Sequence, residues 1–294
     1  MTEPFRVFTV RVRALQRLSP SFLRVTFTGD DLDRFADNGY DQRIKLILPI
    51  AGHGLSPFPA GADWFARWRA LPEELTNPIR TYTVRYVRPG AAEVDVDVVL
   101  HGDSGPASRW ASRVREGDEV ALFGPNGDHE GPHGGLEFRP PAGSGAVLLA
   151  GDETAVPAVA AILERLPEDT EGEVLLEVPH REDFLTLDAP GRVKLTWLAR
   201  EERAHGDLLV PEVRAAAARL LPAQGPSGAV EDVDVDAGIL WEVPEEAPTG
   251  PLYAWLAGEA AVIKTLRRHL VADRGLDRRA VAFMGYWRLG RSED

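Results

Sequence analysis

The rhythm of the chain changes once, at "EFRPPAGSG" (Glu137 to Gly145), and that change constrains the fold more than any other feature. Before it, from Phe5 to about Phe123, short apolar or alternating runs are separated by Gly, Pro, Asp and Asn: "FRVFTVRVRAL", "FLRVTFTG", "RIKLILP", "IRTYTVRYVR", "EVDVDVVLHG" and "DEVALFGP". Successive side chains of a strand point to opposite faces, so Val94, Val96 and Val98 share one face and Asp95 and Asp97 the other. Strands this short and closely spaced predict an antiparallel barrel or sandwich. The link "LSPFPAGADWFARWRALPEELTNP" is too long and too aromatic for a hairpin turn and reads as a short helix or a flap.

After the Pro- and Gly-rich junction, strands alternate with helices. "AVLLAGDETAVPAVAAILERLP" reads as a buried strand, a tight turn and a helix on which Val156, Val159, Leu163 and Leu166 recur at helical spacing. "EVLLEVP", "VKLTWLAR" and "LYAWLAG" read as strands, "LLVPEVRAAAARLLP" and "EAAVIKTLRRHLVADRG" as helices. Such alternation implies a parallel sheet with helices on its faces. The expected fold is a β-barrel domain over residues 1–140 followed by an α/β domain over 141–294, with the acidic stretch Gln224 to Asp236 as a surface insertion.

Composition removes several function classes. A formal charge of −13 argues against nucleic acid or an anionic membrane as main partner, so any anion must meet a local basic patch. The absence of cysteine excludes disulfides, thiolate nucleophiles, cysteine-ligated iron–sulfur clusters, thiolate haem and cysteine zinc sites. The amino end lacks the apolar core and cleavage site of a secretion signal, and no run approaches the roughly 18 apolar residues of a membrane span. The expectation is a cytoplasmic protein.

Two segments of the first half carry chemistry. In "RTYT" (Arg80 to Thr83), Arg80 and Tyr82 share one strand face and Thr81 and Thr83 the other, so a guanidinium and a phenol can meet one ligand. Taken alone, the tetrapeptide also reads as an exposed cross-strand pair. In "HGDSGPASRWA" (His101 to Ala111), Gly102 and Gly105 permit a tight turn, Pro106 suits a first helical position, and Ala107 and Ser108 keep side chains small where free N–H groups emerge. That is an anion site suited to a pyrophosphate, or a plain helix start with Trp110 in the core.

These segments, with "LFGP", "LLAGDETAVPAVAAIL", "GPLYAWLAGEAAVIKTLRRHL" and "FMGYWRLG", resemble the landmarks of the siderophore-interacting protein family, flavin-dependent ferric-siderophore reductases of ferredoxin-NADP reductase-like fold. The resemblance implies an amino-terminal FAD-binding barrel and a carboxy-terminal domain for NADPH or NADH. It implies that Arg80 contacts the FAD phosphates, that Tyr82 and Thr83 lie against the isoalloxazine, that His101 sits close to the flavin, and that Gly105, Ala107 and Ser108 present backbone donors. It also implies that the substrate is a ferric siderophore whose iron is cargo, so that no resident metal is expected. In some members of such families a ferredoxin is the donor instead.

The second half offers three further segments. "AGDETAVPA" (Ala150 to Ala158) ends the first parallel strand, where open α/β sheets bind ligands, and Thr154 could cap the following helix. It is not a dinucleotide fingerprint: Asp152 and Glu153 bring negative charge toward an expected pyrophosphate, and charge alone reads as an ordinary turn. The resemblance instead assigns Gly151, Thr154 and Ala155 to the nicotinamide nucleotide. In "WLAGEAAVIKTLRRHL", Lys264, Arg267 and Arg268 form a cationic exception in an acidic chain, with Arg268 beside Lys264 and Arg267 on an adjoining face. They read as a solvated helix face, or, with Lys45 of "RIKLILP", as attraction for an anionic siderophore or nucleotide phosphates. In "GYWRLG", Tyr286 reads as core, while Trp287 either packs or lines the cofactor site. Arg181 and Arg200 are possible 2′-phosphate contacts. His129 and His133 lie in a Gly-rich loop with no helix to align them, so a metal site there is rejected. A general flavin or quinone reductase, or a non-enzymic siderophore carrier, remain the alternatives.

Overall fold

The computed structural model describes residues 2–59, 61, 63–100, 105–221, 240–244 and 248–290. The chain divides into two units, the first ending at Leu136 and the second beginning at Glu137. No helix among the described residues is long and apolar enough to cross a membrane.

The first unit is a closed antiparallel barrel. Its elements are β1 (Phe5–Arg17), β2 (Phe22–Thr28), β3 (Arg43–Ile47), α1 (Trp64–Arg69), β4 (Ile79–Arg88), β5 (Glu93–Val99), α2 (Pro106–Ala111) and β6 (Glu119–Pro125). The strands run β1-β2-β5-β4-β3-β6 around the barrel. Closure depends on the long β1, which pairs with β6 through Phe5 to Arg11 and with β2 through Arg11 to Arg17, bending at an irregularity between Val12 and Ala14. The alternating valines of β5 face inward with Phe8, Phe27, Leu46 and Leu122, and all are buried. Their acidic neighbours are buried too, because arginines from adjacent strands reach them. Arg24 Nε lies 2.7 Å from Asp97 Oδ1 and Arg88 Nη2 lies 2.6 Å from Asp95 Oδ1. The connection between β3 and β4 holds the short helix α1, as its aromatic content predicts.

The second unit is a six-stranded sheet, order β10-β12-β11-β7-β8-β9. Its elements are β7 (Ala146–Asp152), α3 (Val156–Leu163), β8 (Glu171–Val178), β9 (Arg192–Ala199), α4 (Leu209–Leu220), β10 (Trp241–Glu242), β11 (Leu252–Glu259), α5 (Ala260–Arg267) and β12 (Val281–Trp287). All neighbours are parallel except β10, which runs antiparallel along β12. The expected all-parallel sheet is therefore mixed at one edge. Helix α3 ends at Leu163, short of Leu166, and all eight of its residues are buried. It is a fully enclosed helix and not the one-sided stripe that its spacing suggests. Beyond α5 the chain continues as a π-helical coil, Arg268–Asp273.

Strand order reverses between β7 and β11, from which the chain winds to β8 and β9 on one side and to β12 on the other. In open sheets of this kind ligands bind outside the carboxyl ends of the strands at the reversal.

Candidate functional site

Asp152 and Glu259 are the last residues of β7 and β11, and they meet at that reversal. The Glu259 N–H donates to Asp152 Oδ2 at 2.8 Å. Gly258 makes the approach possible: its φ is +149°, and a Cβ there would lie 2.6 Å from Asp152 Oδ2. The same carboxylate accepts the indole N–H of Trp287 at 2.8 Å, and its Oδ1 accepts the N–H of Thr154 at 2.9 Å and the Thr154 hydroxyl. Burial, reinforced by the charge of Glu153, pushes the Asp152 carboxyl up to about 7, against the pull of these donors toward the ionised form.

Glu153 is neutralised differently. Arg200 grips it with two hydrogen bonds of 2.9 and 3.0 Å, both partners buried, and also lies 3.5 Å from Glu177. Neither acid of "GDE" is therefore aimed at a phosphate, which removes the electrostatic objection raised by the sequence. Arg200 is committed to carboxylates and is corrected as a 2′-phosphate contact, whereas Arg181 stands exposed just beyond β8.

Two glutamates hold the helix starts beside this cluster. Glu177, at the end of β8, accepts N–H groups of Gly206, Leu208 and Leu209 at 2.8 to 3.1 Å where α4 begins. Glu259 accepts those of Ala261 and Val262 at the start of α5. The cap on α3 that the sequence led one to expect of Thr154 is not made: its hydroxyl is taken by Asp152. Gly151 and Ala155 are buried against each other: a Cβ on Gly151 would lie 2.4 Å from the Ala155 Cβ and 2.4 Å from the Ala257 carbonyl oxygen. They shape the turn through backbone and leave the half-buried Thr154 as the accessible side chain of the three.

His205 packs edge-on to Trp287, ring centres 4.8 Å apart, and its buried Nδ1 has no hydrogen-bond partner. Burial and the charge of Arg200 hold its pKa below the usual histidine value. Ligand-type atoms of Asp152, Glu153 and His205 lie within 4.8 Å of one another, with Arg200 and the Asp152 donors already engaged on the two acids. His129 and His133 each meet a backbone carbonyl, of Thr2 and Asn126. Tyr286, half-buried, stacks on Trp241 and meets Trp255 edge-on.

The basic helix splits. Arg267 is buried and binds Glu242 of β10 through bonds of 2.8 and 2.9 Å, so its assignment to substrate is corrected: it fastens the edge strand. Lys264 is half-buried and Arg268 exposed on the same flank.

In the barrel, β4 pairs with β3 so that Arg80 stands opposite Leu46 and Tyr82 opposite Ile44, on one face as the strand period requires. Tyr82 packs against the barrel core, and burial pushes its phenol pKa up, so it remains a neutral hydrogen-bonding ring. Thr83 is buried on the opposite face beside Arg43, which leaves only its backbone for a ring lying against Tyr82. Helix α2 sets Ala107, Trp110 and Ala111 in the same core cluster as Tyr82. Among the described residues its first turn has no side-chain cap and no acid, and a Cβ on Gly105 would meet nothing within 4 Å. A helix start uncapped among the described residues, in one core cluster with a residue of the strand that carries Arg80, fits a pyrophosphate-bearing cofactor such as FAD. His101 lies outside the described residues. Lys45 emerges on the outer wall and donates to Thr81 Oγ1 at 2.7 Å.

Sequence reasoning did not find Glu177, His205 or the Arg200–Glu153 pair, whose partners are far apart in the chain. Glu259 was findable, since it directly precedes a helix.

Comparison with known proteins agrees with this architecture. Residues 11–129 match the siderophore-interacting FAD-binding domain and residues 145–290 match the siderophore-interacting protein model. Ferric vibriobactin reductase ViuB of Vibrio cholerae is 31% identical over 277 residues, 94% of this chain and 88% of that protein. The crystal structure of a siderophore utilization protein from T. fusca is 28% identical with TM-score 0.73, covering 99% of this chain and 96% of that one. A ferredoxin reductase in carbazole 1,9a-dioxygenase, 16% identical with TM-score 0.61 over 98% of this chain and 71% of that one, shares the fold. Barrel, doubly wound sheet and both domain matches together make this chain a member of the siderophore-interacting protein family.

Proposed function

We propose that the protein is an FAD-dependent reductase that uses NADPH or NADH to reduce the iron of a ferric siderophore to Fe(II) inside the cell. The observation that carries this reading is the start of α2, without side-chain cap, first-turn acid or close neighbour at Gly105 among the described residues and packed into the same core as Tyr82. Arg80 would hold the FAD phosphates with Gly105, Ala107 and Ser108 supplying backbone donors, and Tyr82 would support the ring system. Bound FAD supplies the chemistry that couples a two-electron donor to one-electron acceptors, so no protein nucleophile is required. The chain's own task is positioning. Thr154, fixed by Asp152, and Trp287, fixed by the same carboxylate, would frame the nicotinamide nucleotide. Lys45, Lys264 and Arg268 would attract an anionic chelate against the net charge of −13. Two electrons from one nicotinamide reduce two ferric ions, and hard oxygen ligands hold the resulting Fe(II) far more weakly, so iron leaves.

The test is the absorption spectrum of the purified protein, followed by anaerobic addition of each nicotinamide and then a ferric siderophore. Flavin bands that bleach with nicotinamide and return with the chelate, as Fe(II) appears, are expected. A colourless protein that takes up no added FAD would return the chain to a carrier role, and faster turnover on quinones than on ferric siderophores would make it a general reductase.

A further inference from the structure

The Asp152 carboxyl is 3% exposed, and its two oxygens are divided between a framework and a turn. Oδ2 accepts the Glu259 N–H from the end of β11 and the Trp287 indole N–H from the end of β12, each at 2.8 Å. Oδ1 accepts the Thr154 N–H at 2.9 Å and the Thr154 hydroxyl. Every one of these donors is uncharged.

The charged neighbours on the adjoining elements are committed elsewhere. Glu153, next in the turn, takes two hydrogen bonds from Arg200, which also stands 3.5 Å from Glu177 of β8. Glu177 accepts three N–H groups where α4 begins, and Glu259 accepts two at the start of α5. Each of these acids has a cation or a helix start against it, whereas Asp152 has uncharged donors alone among the described residues. His205, ahead of α4, brings a ring nitrogen within 4.8 Å of an Asp152 oxygen, and its Nδ1 has no partner. Asp152 is thus the acid of this group that most readily holds a proton, and burial beside Glu153 pushes its carboxyl up to about 7.

The partner that feels that proton is Thr154, whose side chain is half-buried at the turn. While Asp152 is ionised, the hydroxyl hydrogen of Thr154 is spent on it. Once Asp152 is protonated the bond can run the other way, the carboxyl O–H donating to Thr154 Oγ1, and the hydroxyl hydrogen is released for a ligand. An anion at the reversal of strand order favours the same change, because it disfavours a second negative charge at the end of β7.

Building on the reading that Thr154 and Trp287 frame a nicotinamide nucleotide, we propose that Asp152 is a positioning residue that couples nucleotide binding to uptake of a proton from solvent: with the proton on Asp152, Thr154 turns its hydroxyl hydrogen toward the nucleotide phosphates.

The test is isothermal calorimetry on the FAD-loaded protein between pH 6 and 9, in buffers of different ionisation enthalpy. ADP-ribose and 2′-phospho-ADP-ribose are the probes, since they carry the phosphates without the reactive ring. Parent affinity for ADP-ribose should fall about three- to tenfold from pH 6 to 9, with about 0.3–0.5 proton taken up per ligand near pH 7.5. Asp152→Asn, whose side-chain N–H donates to Thr154 as a protonated Asp152 would, should bind at every pH as the parent does at pH 6, without that uptake. It also supplies the baseline for the probe whose 2′-phosphate itself titrates. Thr154→Ser should keep the coupling, and Thr154→Val should bind more weakly with a flat profile. Uptake that survives Asp152→Asn, uptake lost in His205→Gln instead, or a Thr154→Val profile parallel to the parent's overturns the proposal. A parent that binds neither probe at any pH overturns the nucleotide reading itself, and the coupling with it.

Discussion

Trp287, at the end of the last strand, donates its indole N–H to the carboxylate of Asp152, 135 residues earlier at the end of the first parallel strand, at 2.8 Å. One acid therefore joins β7, β11 and β12 where the strand order reverses. Trp287→Phe keeps a ring and removes that donor. At pH 8, where that carboxyl is ionised, it should cost about 1.5–3 kcal/mol, the range for a hydrogen bond to a charged group, read as a lower urea midpoint. An unchanged midpoint would show that the bond contributes nothing.

The same carboxyl gives stability a pH dependence. Its folded value is raised from 3.8 to about 7, so between those values the folded state holds the proton more often than the unfolded chain. The contribution is full below the lower value and is lost as pH climbs through the upper one. His205 works oppositely: lowered from 6.5, it favours the fold fully above that value and less as pH falls through its folded value. Urea titrations from about pH 5 to 8 should show a declining midpoint that flattens in Asp152→Asn and steepens in His205→Gln. Parallel curves for all three proteins would contradict both assignments.

Gly151→Ala places a methyl group 2.4 Å from both the Ala155 Cβ and the Ala257 carbonyl. Backbone on one side and a buried helix start on the other leave no flexible neighbour to yield. A loss of about 1–3 kcal/mol or more is expected from overpacking, measured by thermal melting. Retention of the parent melting temperature would mean that β7 and β11 can separate freely.

The three cations of the α5 segment should part company on mutation. Arg267→Ala empties a buried position and releases a Glu242 whose side chain is 37% exposed and can be solvated, so it should destabilise the protein by about 1.5–3 kcal/mol. Lys264→Ala and Arg268→Ala should leave stability near the parent's and raise KM for an anionic chelate. Steady-state kinetics beside denaturation curves separate these effects, and an Arg268→Ala enzyme with parental KM would return that residue to a solvated surface role.

Arg80→Ala tests the barrel site directly. Loss of a charge-assisted contact to phosphate should weaken FAD by about tenfold to a hundredfold, followed by the return of free-flavin fluorescence on dilution. Equal retention of FAD by variant and parent would sink the assignment.

The barrel was legible because its strands obey a period of two with turn residues between them, and the valines of β5 already marked the inner wall. The α/β half was legible from the alternation of strand and helix. Edge strand β10 was not, because two residues carry no periodic signal, and α3 misled because an all-apolar helix shows no stripe when every face is covered. At the site, "RTYT" and "GPAS" were visible as local pattern. The engagement of Asp152 and Glu153 was not, since it depends on Trp287 and Arg200, and side-chain pairing over such separations leaves no local spacing to read.

The closed ring of strands in the first unit also bears on how copies of the protein meet. With β1 pairing to both neighbours, that unit has among its described residues no open strand to offer for intermolecular zipping. Among the described residues the second sheet does have borders, and both are guarded: β10 is two residues long, and β9 carries Arg192 and Lys194 along its rim. Misassembly by strand addition must therefore begin in the second unit, and removal of those two positive side chains is where it would first be let in.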